Sequence, residues 1–401
     1  MKNKKNIPHN TIKNILTRDF ILGFLISFTF VITIFALIPA LPIFLAKLGS
    51  NEAEIGILVG VYGGSSLVFR LLIGRILLKY SEKCVIMFGS VLSVFSFLSY
   101  IAFCPFWPFF FVRLFQGITF ACIDTAVLTF IVKVIPQSNQ TRAIGYFLLA
   151  TNFALAVGPS FGMFLINHSN FTVFFLTCAG LSLCTFILSW RLKRPEISSI
   201  DKDTLVHGSF LLDRKIMVPA LTGFFHQIGW GAVVAFLPLY AIRFGITNLG
   251  PFFSAIAIMI IAGRTLGSKI LDIYRKEKII PTFMFTSALA MLMLTFSKTM
   301  PMFILIGAVW GTGSAFLYPA TIAYSLEYAG SSRGTAVSTF RAFTDLGLAL
   351  GPIFAGIILP ITGYHTLFLC LALIYIINLG YFQFYVMKTG AVAMQSSIKK
   401  V

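Results

Sequence analysis

The sequence predicts an all-α integral membrane protein with about 12 transmembrane helices in two pseudo-symmetric six-helix bundles. The 401 residues are 58% hydrophobic and only 11% charged, which is more apolar surface than a soluble core can bury. Apolar stretches long enough to cross a hydrocarbon core of about 30 Å recur along the whole chain. The phrase around Gly158-Pro159 is repeated at Gly351-Pro352, 193 residues later. A repeat at half the length of the chain indicates two related bundles.

The apolar stretches define the predicted spans. They are residues 19–46, 54–78, 84–103, 108–134, 141–166, 171–190, 216–242, 251–273, 279–297, 301–326, 334–360 and 364–387. The first stretch follows a basic N-terminus, as a secretory signal does, but it is too long and lacks a small-residue cleavage site. We therefore interpret it as an uncleaved span.

The basic residues are distributed unevenly between the predicted loops. Most of the 31 Lys and Arg residues fall in the termini and in every second loop, whereas the alternate loops hold only Lys47, Arg243 and Lys298. By the positive-inside rule, this pattern places both termini in the cytoplasm of a protein in the cell membrane. The net charge of +18 is then explained by topology and by contact with anionic lipids, and it does not indicate nucleic-acid binding.

Residues 191–215 form the one long polar interruption and predict a cytoplasmic linker between an N-terminal bundle (1–190) and a C-terminal bundle (216–401). The two halves align at offsets of 193 to 196 residues. The aligned positions are Leu41-Pro42 with Leu237-Pro238, Arg70 with Arg264, Gly117 with Gly311, and Asn152 with Asp345. Because each half has an even number of spans, the halves share one orientation, and a binding site is expected between them.

The six cysteines lie in or beside apolar spans and lack the spacing of metal ligands, so we expect neither a disulfide nor a metal site. No nucleotide-binding loop of the form GxxxxGK[ST] occurs, and no Ser/His/Asp set stands out. We therefore expect no cofactor and no enzymatic activity. Transport would be powered by an ion gradient or by the gradient of the substrate.

The end of the second span and the turn after it carry a recognisable pattern. Arg70, Gly74 and Lys79 in RLLIGRILLKYSEK resemble a signature of the major facilitator superfamily, and the likeness extends over nearly the whole chain. The family has an acidic residue where this chain has Leu78, but the second copy of the pattern, which begins at Arg264, has Asp272 at that position. The resemblance implies a charged gate on the cytoplasmic side, with Asp272 as its acidic residue.

Two further patterns are similar to motifs of this family. Arg113 and Gln116-Gly117 in the fourth span resemble a motif associated with proton coupling. The fifth span resembles a motif found mainly in exporters, and its residues are Gly145, Gly158, Pro159 and Gly162, with Ala154 where glycine is usual. A Gly-Pro pair within a helix removes a hydrogen bond and permits a bend.

Buried charges are costly in a bilayer, so each one is a functional candidate. Asp124, His226 and Asp345 all lie about 15 Å from the cytoplasmic boundary at about 1.5 Å per residue. Asp124 shares a helical stripe with Arg113 and Gln116, so it can bind a proton when desolvated and release it when hydrated. The alternatives are a structural acid for Asp124 and snorkelling to the headgroups for Arg113.

The seventh and tenth spans offer further candidates for the central cavity. His226 and Gln227 precede Trp230 in FFHQIGWG, and the histidine either assists proton coupling or packs inside the bundle. Tyr318 belongs to an aromatic and hydroxyl face that suits an amphiphilic ligand or helix packing. Arg341 and Asp345 are i, i+4 neighbours and are predicted to neutralise each other as a structural or gating pair.

These features predict a secondary active transporter that exports small amphiphilic compounds, such as drugs or secreted metabolites, by proton antiport and alternating access. Its partners are then protons, a small-molecule substrate and membrane lipids, and a monomer suffices. Two alternatives remain: an importer or symporter of organic anions or sugars attracted by Arg113, and a lipid-handling membrane protein without ion coupling.

Overall fold

The computed structural model describes residues 16–102, 106–136, 139–193, 214–267, 270, 273–328 and 333–398, which are almost entirely helical. The helices are α1 (Arg18–Lys47), α2 (Glu52–Ile76), α3 (Glu82–Ala102), α4 (Phe106–Val134), α5 (Gln140–His168), α6 (Phe171–Trp190), α7 (Arg214–Ile242), α8 (Gly250–Leu266), α9 (Lys276–Phe296), α10 (Met300–Tyr328) and a double-length tract, Arg333–Ile398. A break at Gly363 divides that tract into α11 (333–362) and α12 (364–398).

The predicted all-helical membrane fold is confirmed. Within the described ranges, ten helices are long and apolar enough to cross a membrane, and one of them, Ala336–Val386, spans both α11 and α12. Helix α8 is shorter than predicted because it ends at Leu266, where Gly267 caps it. Residues 194–213 of the predicted linker lie outside the described residues.

Local signals set the helix boundaries. Asn51 starts α2 with a capping box, because its side chain accepts from the Glu54 N–H while the Glu54 carboxylate accepts from the Asn51 N–H. Asn170 caps α6 by accepting from the Val173 N–H at 2.8 Å. Gly363 has φ of 74° and ψ of 171°, a conformation that only glycine adopts readily, and this turns the chain from α11 into α12.

The N-terminal half (α1–α6) meets the C-terminal half (α7–α12) mainly along three helix pairs: α2 with α11, α5 with α8, and α1 with α7. We call the side on which α1 begins and α12 ends the termini side. The tightest contacts lie toward the opposite side, where Gly56 packs on the backbone of Pro352 and Gly250 packs on Ser160. The halves are therefore pressed together at the end of the molecule away from the termini.

Small residues make this close approach possible. The Ser254 hydroxyl on α8 donates to the Ala156 carbonyl oxygen on α5 at 2.5 Å. On the other helix pair, a Cβ at Gly60 would clash with the carbonyl of Ala349. Backbones that pack this closely are typical of helix interfaces in lipid. There the hydrophobic effect does not drive helices together, and association depends on the close van der Waals packing that small residues permit.

Candidate functional site

A cavity of about 170 Å³ lies between the two halves. It is formed by α1, α2, α4 and α5 of the N-terminal half and by α7 and α11 of the C-terminal half. Its lining is mostly apolar and aromatic, with two charged side chains, and includes Phe35, Leu41, Tyr62, Arg113, Phe120, Asp124, Thr151, Trp230 and Pro352. An apolar pocket with few polar groups is the usual form of a small-molecule site.

Asp124 lies at the end of this cavity nearer the termini side. Its side chain is 37% exposed, and its Oδ2 atom is 3.3 Å from Nη1 of Arg70 on α2. The guanidinium of Arg70 also lies 5.6 Å from the centre of the Phe120 ring, a favourable cation–π contact. The Asp124 carboxylate is thus open to the cavity and has one cation beside it.

The pairing predicted between Arg341 and Asp345 does not form. Asp345 instead faces the other half, with its Oδ2 atom 3.6 Å from Nε of Arg70, while Arg341 is exposed. The i, i+4 spacing brings two side chains to one helix face, but the packing of α2 against α11 supplies Asp345 with a closer cation. One arginine thus lies between two carboxylates from different halves.

Arg113 is only 5% exposed and does not snorkel to the membrane surface. Its Nε donates to the Leu58 carbonyl at 2.8 Å, its Nη2 to the Val59 carbonyl at 3.3 Å and its Nη1 to Gln116 Oε1 at 2.6 Å. The guanidinium also lies 4.7 Å from the centre of the Tyr62 ring. Arg113 therefore joins α4 to α2 and has most of its donors engaged.

Removing this connection is expected to destabilise the protein. Arg113→Gln loses at least two charge-assisted hydrogen bonds from a buried site, and we expect the apparent Tm in detergent to fall by about 5–10 °C. Arg113→Lys should rescue little, because one ammonium cannot match the fork of the guanidinium. Arg243→Gln, which removes an exposed arginine lying over Tyr364, is the control and should shift Tm far less. Equal Tm shifts in the two variants would contradict the bracing role of Arg113.

Gln116 and His226 were predicted for the central cavity but lie outside its lining. Gln116 is fully buried between Arg113 and the Tyr100 hydroxyl, which donates to Gln116 Oε1 at 3.1 Å. His226 is 7% exposed inside the C-terminal half, with its ring 5.7 Å from that of Tyr375 and its Nε2 3.4 Å from Ser314 Oγ. Helical periodicity predicts on which face of its helix a residue lies, and the faces that carry Gln116 and His226 are directed into the bundles.

The remaining cavity candidates are divided between two environments. Trp230 lines the cavity and stands edge-on to Trp310 with ring centres 5.6 Å apart. Gln227 lies one turn away, where its Cβ is close to Gly347 of α11, outside the lining. Tyr318 also lies outside the lining and packs edge-on against Phe340 at 5.4 Å.

The predicted gate residues on the termini side are only partly brought together. Lys79 is exposed, and a Cβ at Gly74 would meet no atom of the described residues within 4 Å. Arg264 is partly buried, and its Nε has no hydrogen-bond partner within the described part of the chain. Asp272 lies outside the described residues, so its predicted role stays a prediction.

The exporter-like helix α5 packs against α1 through two of its glycines. A Cβ at Gly158 would lie 3.0 Å from Phe35 Cβ, and one at Gly162 would lie 2.5 Å from the Ala36 carbonyl oxygen. Pro159 lies inside the helix between them. Gly145, by contrast, faces open space.

Two alanine substitutions test which of these glycines is in tight contact with α1. Gly162→Ala must push α5 away from the α1 backbone and should lower the free energy of unfolding by about 1–3 kcal/mol. Gly145→Ala meets no neighbour and should be neutral, or stabilising by up to about 1 kcal/mol through helix propensity. Reversible unfolding in mixed micelles measures both changes. A Gly162→Ala protein as stable as the wild type would show that α5 and α1 are not in tight contact.

Sequence reasoning did not find Tyr62, which lines the cavity and lies against Arg113. It also did not pair Arg70 with Asp124. Arg70 was a recognised candidate, and its position two turns after Tyr62 on α2 puts both on a similar face. The sequence does not indicate which face of α2 meets α4.

The chain matches the sequence model of the Major Facilitator Superfamily over residues 23–296 and again over residues 265–397. The second match begins within the first, as expected for a protein whose halves resemble each other.

Several relatives match most of the chain. It is 22% identical to the staphylopine export protein of Staphylococcus aureus (strain Mu50), with 82% of this chain and 86% of the relative covered. It is 25% identical to multidrug resistance protein 1 of Bacillus subtilis (strain 168), with 81% and 85% covered. Among solved structures, the nucleoside transporter NupG superposes with a TM-score of 0.75 at 15% identity, over 90% of this chain and 98% of that one. The last likeness concerns the fold alone.

Proposed function

The chain belongs to the Major Facilitator Superfamily, and we propose that within this family it works as a proton-coupled exporter of small amphiphilic compounds. The family and the relatives establish a multi-pass membrane transporter of small molecules and exclude an enzyme. Export, proton coupling and the chemical class of the substrate are our proposals.

The observation that carries the proposal is Asp124, a carboxylate open to a mostly apolar cavity between the halves, whose other charged side chain, Arg113, is engaged in hydrogen bonds. A carboxyl group in such a place binds a proton more readily when water is excluded and loses it when the cavity is hydrated. The names of the two relatives, one an export protein and one a multidrug resistance protein, favour export over import.

The lining of the cavity favours amphiphilic cargo. Aromatic rings from both halves, including Tyr62, Phe120 and Trp230, provide an apolar surface beside the two charged side chains of the lining. The present volume of about 170 Å³ is below the roughly 300–1,000 Å³ of sites for drug-sized ligands. The halves must therefore move apart before such a ligand enters.

The way the halves meet supports alternating access. We propose that residues 1–190 and 216–401 form two bundles joined by the linker 191–215 and that they rock about the cavity. The glycine contacts near Gly56 and Gly250 close the side away from the termini. By the positive-inside rule, the termini side is the cytoplasmic face of the cell membrane, so cargo enters from the cytoplasm.

The charge at Arg113 does not favour the alternative of anion import. Its guanidinium already donates to two carbonyls of α2 and to Gln116, so few donors remain for an anionic ligand. A monomer provides both halves of the cavity, and we propose that the monomer is the transporting unit.

The test uses purified protein in liposomes with an imposed pH gradient and a panel of fluorescent amphiphiles. A coupled exporter moves protons against the flow of its substrate, so substrate addition should change the internal pH, and an uncoupler should abolish accumulation. In intact cells, expression should lower the content of the same compound. Higher content would favour an importer, and headgroup exchange independent of the pH gradient would favour a lipid-handling protein.

A further inference from the structure

Prolines interrupt three of the helices that line the cavity. Pro42 lies inside α1, Pro238 inside α7 and Pro352 inside α11. Proline has no N–H, so the backbone carbonyl four residues earlier in the same helix loses its usual hydrogen-bond donor. Each of these helices therefore contains a carbonyl that is free to accept a hydrogen bond from another group.

The three carbonyls belong to residues of the cavity lining. They are those of Ile38, Val234 and Leu348, and we call them the freed carbonyls. Pro42 and Pro352 line the cavity as well, so in α1 and α11 the interrupted turn borders the cavity at both of its ends. The N-terminal and the C-terminal half thus each contribute backbone acceptors to the same space.

The internal repeat places these interruptions at equivalent positions in the two halves. Pro42 aligns with Pro238 at an offset of 196 residues, and Pro159 aligns with Pro352 at an offset of 193 residues. Of the four interrupted turns, the one before Pro159 lies outside the cavity, because Leu155 is buried and does not belong to the lining. Interrupted helices at matching depths on both sides of the cavity are consistent with a role in binding cargo.

The described residues supply no side chain in place of the missing N–H groups. On α5, the Ser254 hydroxyl donates to the Ala156 carbonyl. Among the side-chain hydrogen bonds of the described residues, none ends on the carbonyl of Ile38, Val234 or Leu348. A carbonyl without a donor is costly in apolar surroundings, and at membrane depth it is tolerated where it lines a cavity. The freed carbonyls are therefore acceptors for the molecule that occupies the cavity.

The Leu348 carbonyl oxygen has the best-defined surroundings of the three. It faces Gly231 of α7, where a Cβ would lie 2.8 Å from this oxygen and 2.7 Å from Pro352 Cδ. Gly231 also lines the cavity. Glycine at this position lets α7 approach the interrupted turn of α11 without placing a side chain over the oxygen.

The polar side chains of the lining do not replace the freed carbonyls as acceptors. The hydroxyl groups of Tyr62 and Thr151 can donate or accept, and the indole N–H of Trp230 can only donate. Asp124 accepts while it is ionised, but it loses this capacity in part when it binds a proton. A backbone carbonyl does not titrate, so its preference for a donor is the same in every protonation state of the transporter.

We propose that the freed carbonyls select cargo by its N–H and O–H groups. A cargo molecule with such groups supplies the donor that proline withholds, whereas an N-alkylated analogue of the same charge leaves the oxygens unpaired. Since an unpaired buried acceptor is costly, the site discriminates against the analogue. This inference rests on the proposed function, because it takes the cavity as the cargo site, and it narrows the cargo to amphiphiles that carry hydrogen-bond donors.

Two dyes of equal charge and identical ring system provide the test. The methyl ester of unalkylated rhodamine has free amino groups, whereas tetramethylrhodamine methyl ester carries N-methyl groups in their place. The Kd of each dye is measured by fluorescence anisotropy on the full-length protein in lipid nanodiscs, with empty nanodiscs as the background. Because the methyl groups also change partitioning into lipid, the comparison is between protein variants for each dye.

Pro42→Ala and Pro352→Ala each return an N–H to the helix, which then bonds the freed carbonyl of that helix. We expect the Kd of the amino dye to rise about 2- to 12-fold in each variant, the effect of one lost hydrogen bond. The Kd of the methylated dye should stay unchanged. Pro360→Ala is the matched control, because Pro360 is an exposed proline of α11 outside the cavity lining, and it should change neither value.

The methylated dye also tests whether each variant folds, because it binds to the same cavity. Equal rises of both Kd values in Pro42→Ala and Pro352→Ala would give these prolines a bending role alone and would overturn the proposal. An unchanged Kd of the amino dye in both variants would overturn it as well. Pro238→Ala, which alters the equivalent turn of α7, takes the place of either variant that binds no dye.

Transport measured on the same proteins separates this inference from the proposed function. Proton-coupled export combined with equal effects on the two dyes would leave the proposed function intact and refute selection by the freed carbonyls. A preference for the amino dye that depends on the prolines, in a protein without proton-coupled export, would support the selection and refute the proposed function.

Discussion

Asp124→Asn is expected to abolish uphill transport while leaving downhill exchange of substrate in place. In one-for-one exchange, a gradient of one pH unit sustains a substrate gradient of up to about tenfold, because about 1.4 kcal/mol corresponds to a factor of ten. An amide cannot bind and release the proton, so the accumulation ratio in proteoliposomes should fall from about ten to about one. Its similar shape keeps the cavity next to Tyr62 and Phe120 intact.

The control is Asp19→Asn, which removes an acid from the first turn of α1, outside the cavity lining. It should accumulate substrate as the wild type does. Counterflow of labelled substrate at equal pH on both sides shows whether Asp124→Asn still binds and moves its cargo. An Asp124→Asn protein that keeps a tenfold accumulation ratio would remove this carboxylate from the coupling mechanism.

Composition and loop charge were sufficient to predict the helical membrane fold, because the bilayer imposes a length and a hydropathy on every span. Boundaries were less accurate where a local feature of the backbone decides them. Gly267 ends α8 before the predicted end of that span at residue 273, and this glycine does not change the hydropathy enough to mark the boundary. The predicted boundary between residues 360 and 364, by contrast, coincides with Gly363, which turns α11 into α12.

The candidate site was predictable only in part. Asp124 and Trp230 were expected in the cavity and line it, because a polar or aromatic residue in the middle of a span has few other roles. Asp345 was assigned to Arg341, four residues away on its own helix, and its closer partner is Arg70. A helical pattern fixes which residues share a face, but which helix packs against that face depends on the whole assembly.

His226 shows that a titratable residue in a span need not line the cavity. A histidine near mid-membrane is a reasonable proton carrier by chemistry alone. Its neighbours are Tyr375, Trp310 and Ser314, all inside the C-terminal half, so it packs within that half. The presence of a titratable group in a span is therefore weaker evidence of function than its exposure to the cavity.

Gly56→Val is expected to hold the side away from the termini open and to stop turnover. A Cβ at Gly56 would clash with the Pro352 carbonyl oxygen and would lie 3.2 Å from the Cα of Gly356, and both of these belong to the α11 backbone. Because a backbone cannot rotate away as a side chain does, α2 and α11 must separate. Overpacking costs about 1–3 kcal/mol, which lowers the population of the closed state about 5- to 150-fold.

Gly180→Val provides the matched control, because a Cβ at Gly180 on α6 would meet no atom of the described residues within 4 Å. Spin labels at Leu48 and Phe244, exposed residues at equivalent places after α1 and α7, report the separation of the halves on this side. Gly56→Val should lengthen that distance and lower the transport rate at least about fivefold, because the population of the closed state falls by that factor. Gly180→Val should change neither the distance nor the rate. Unchanged distances in Gly56→Val would mean that the contact between α2 and α11 does not close the transporter. The closing contact would then have to lie between α5 and α8, where Gly250 packs on Ser160.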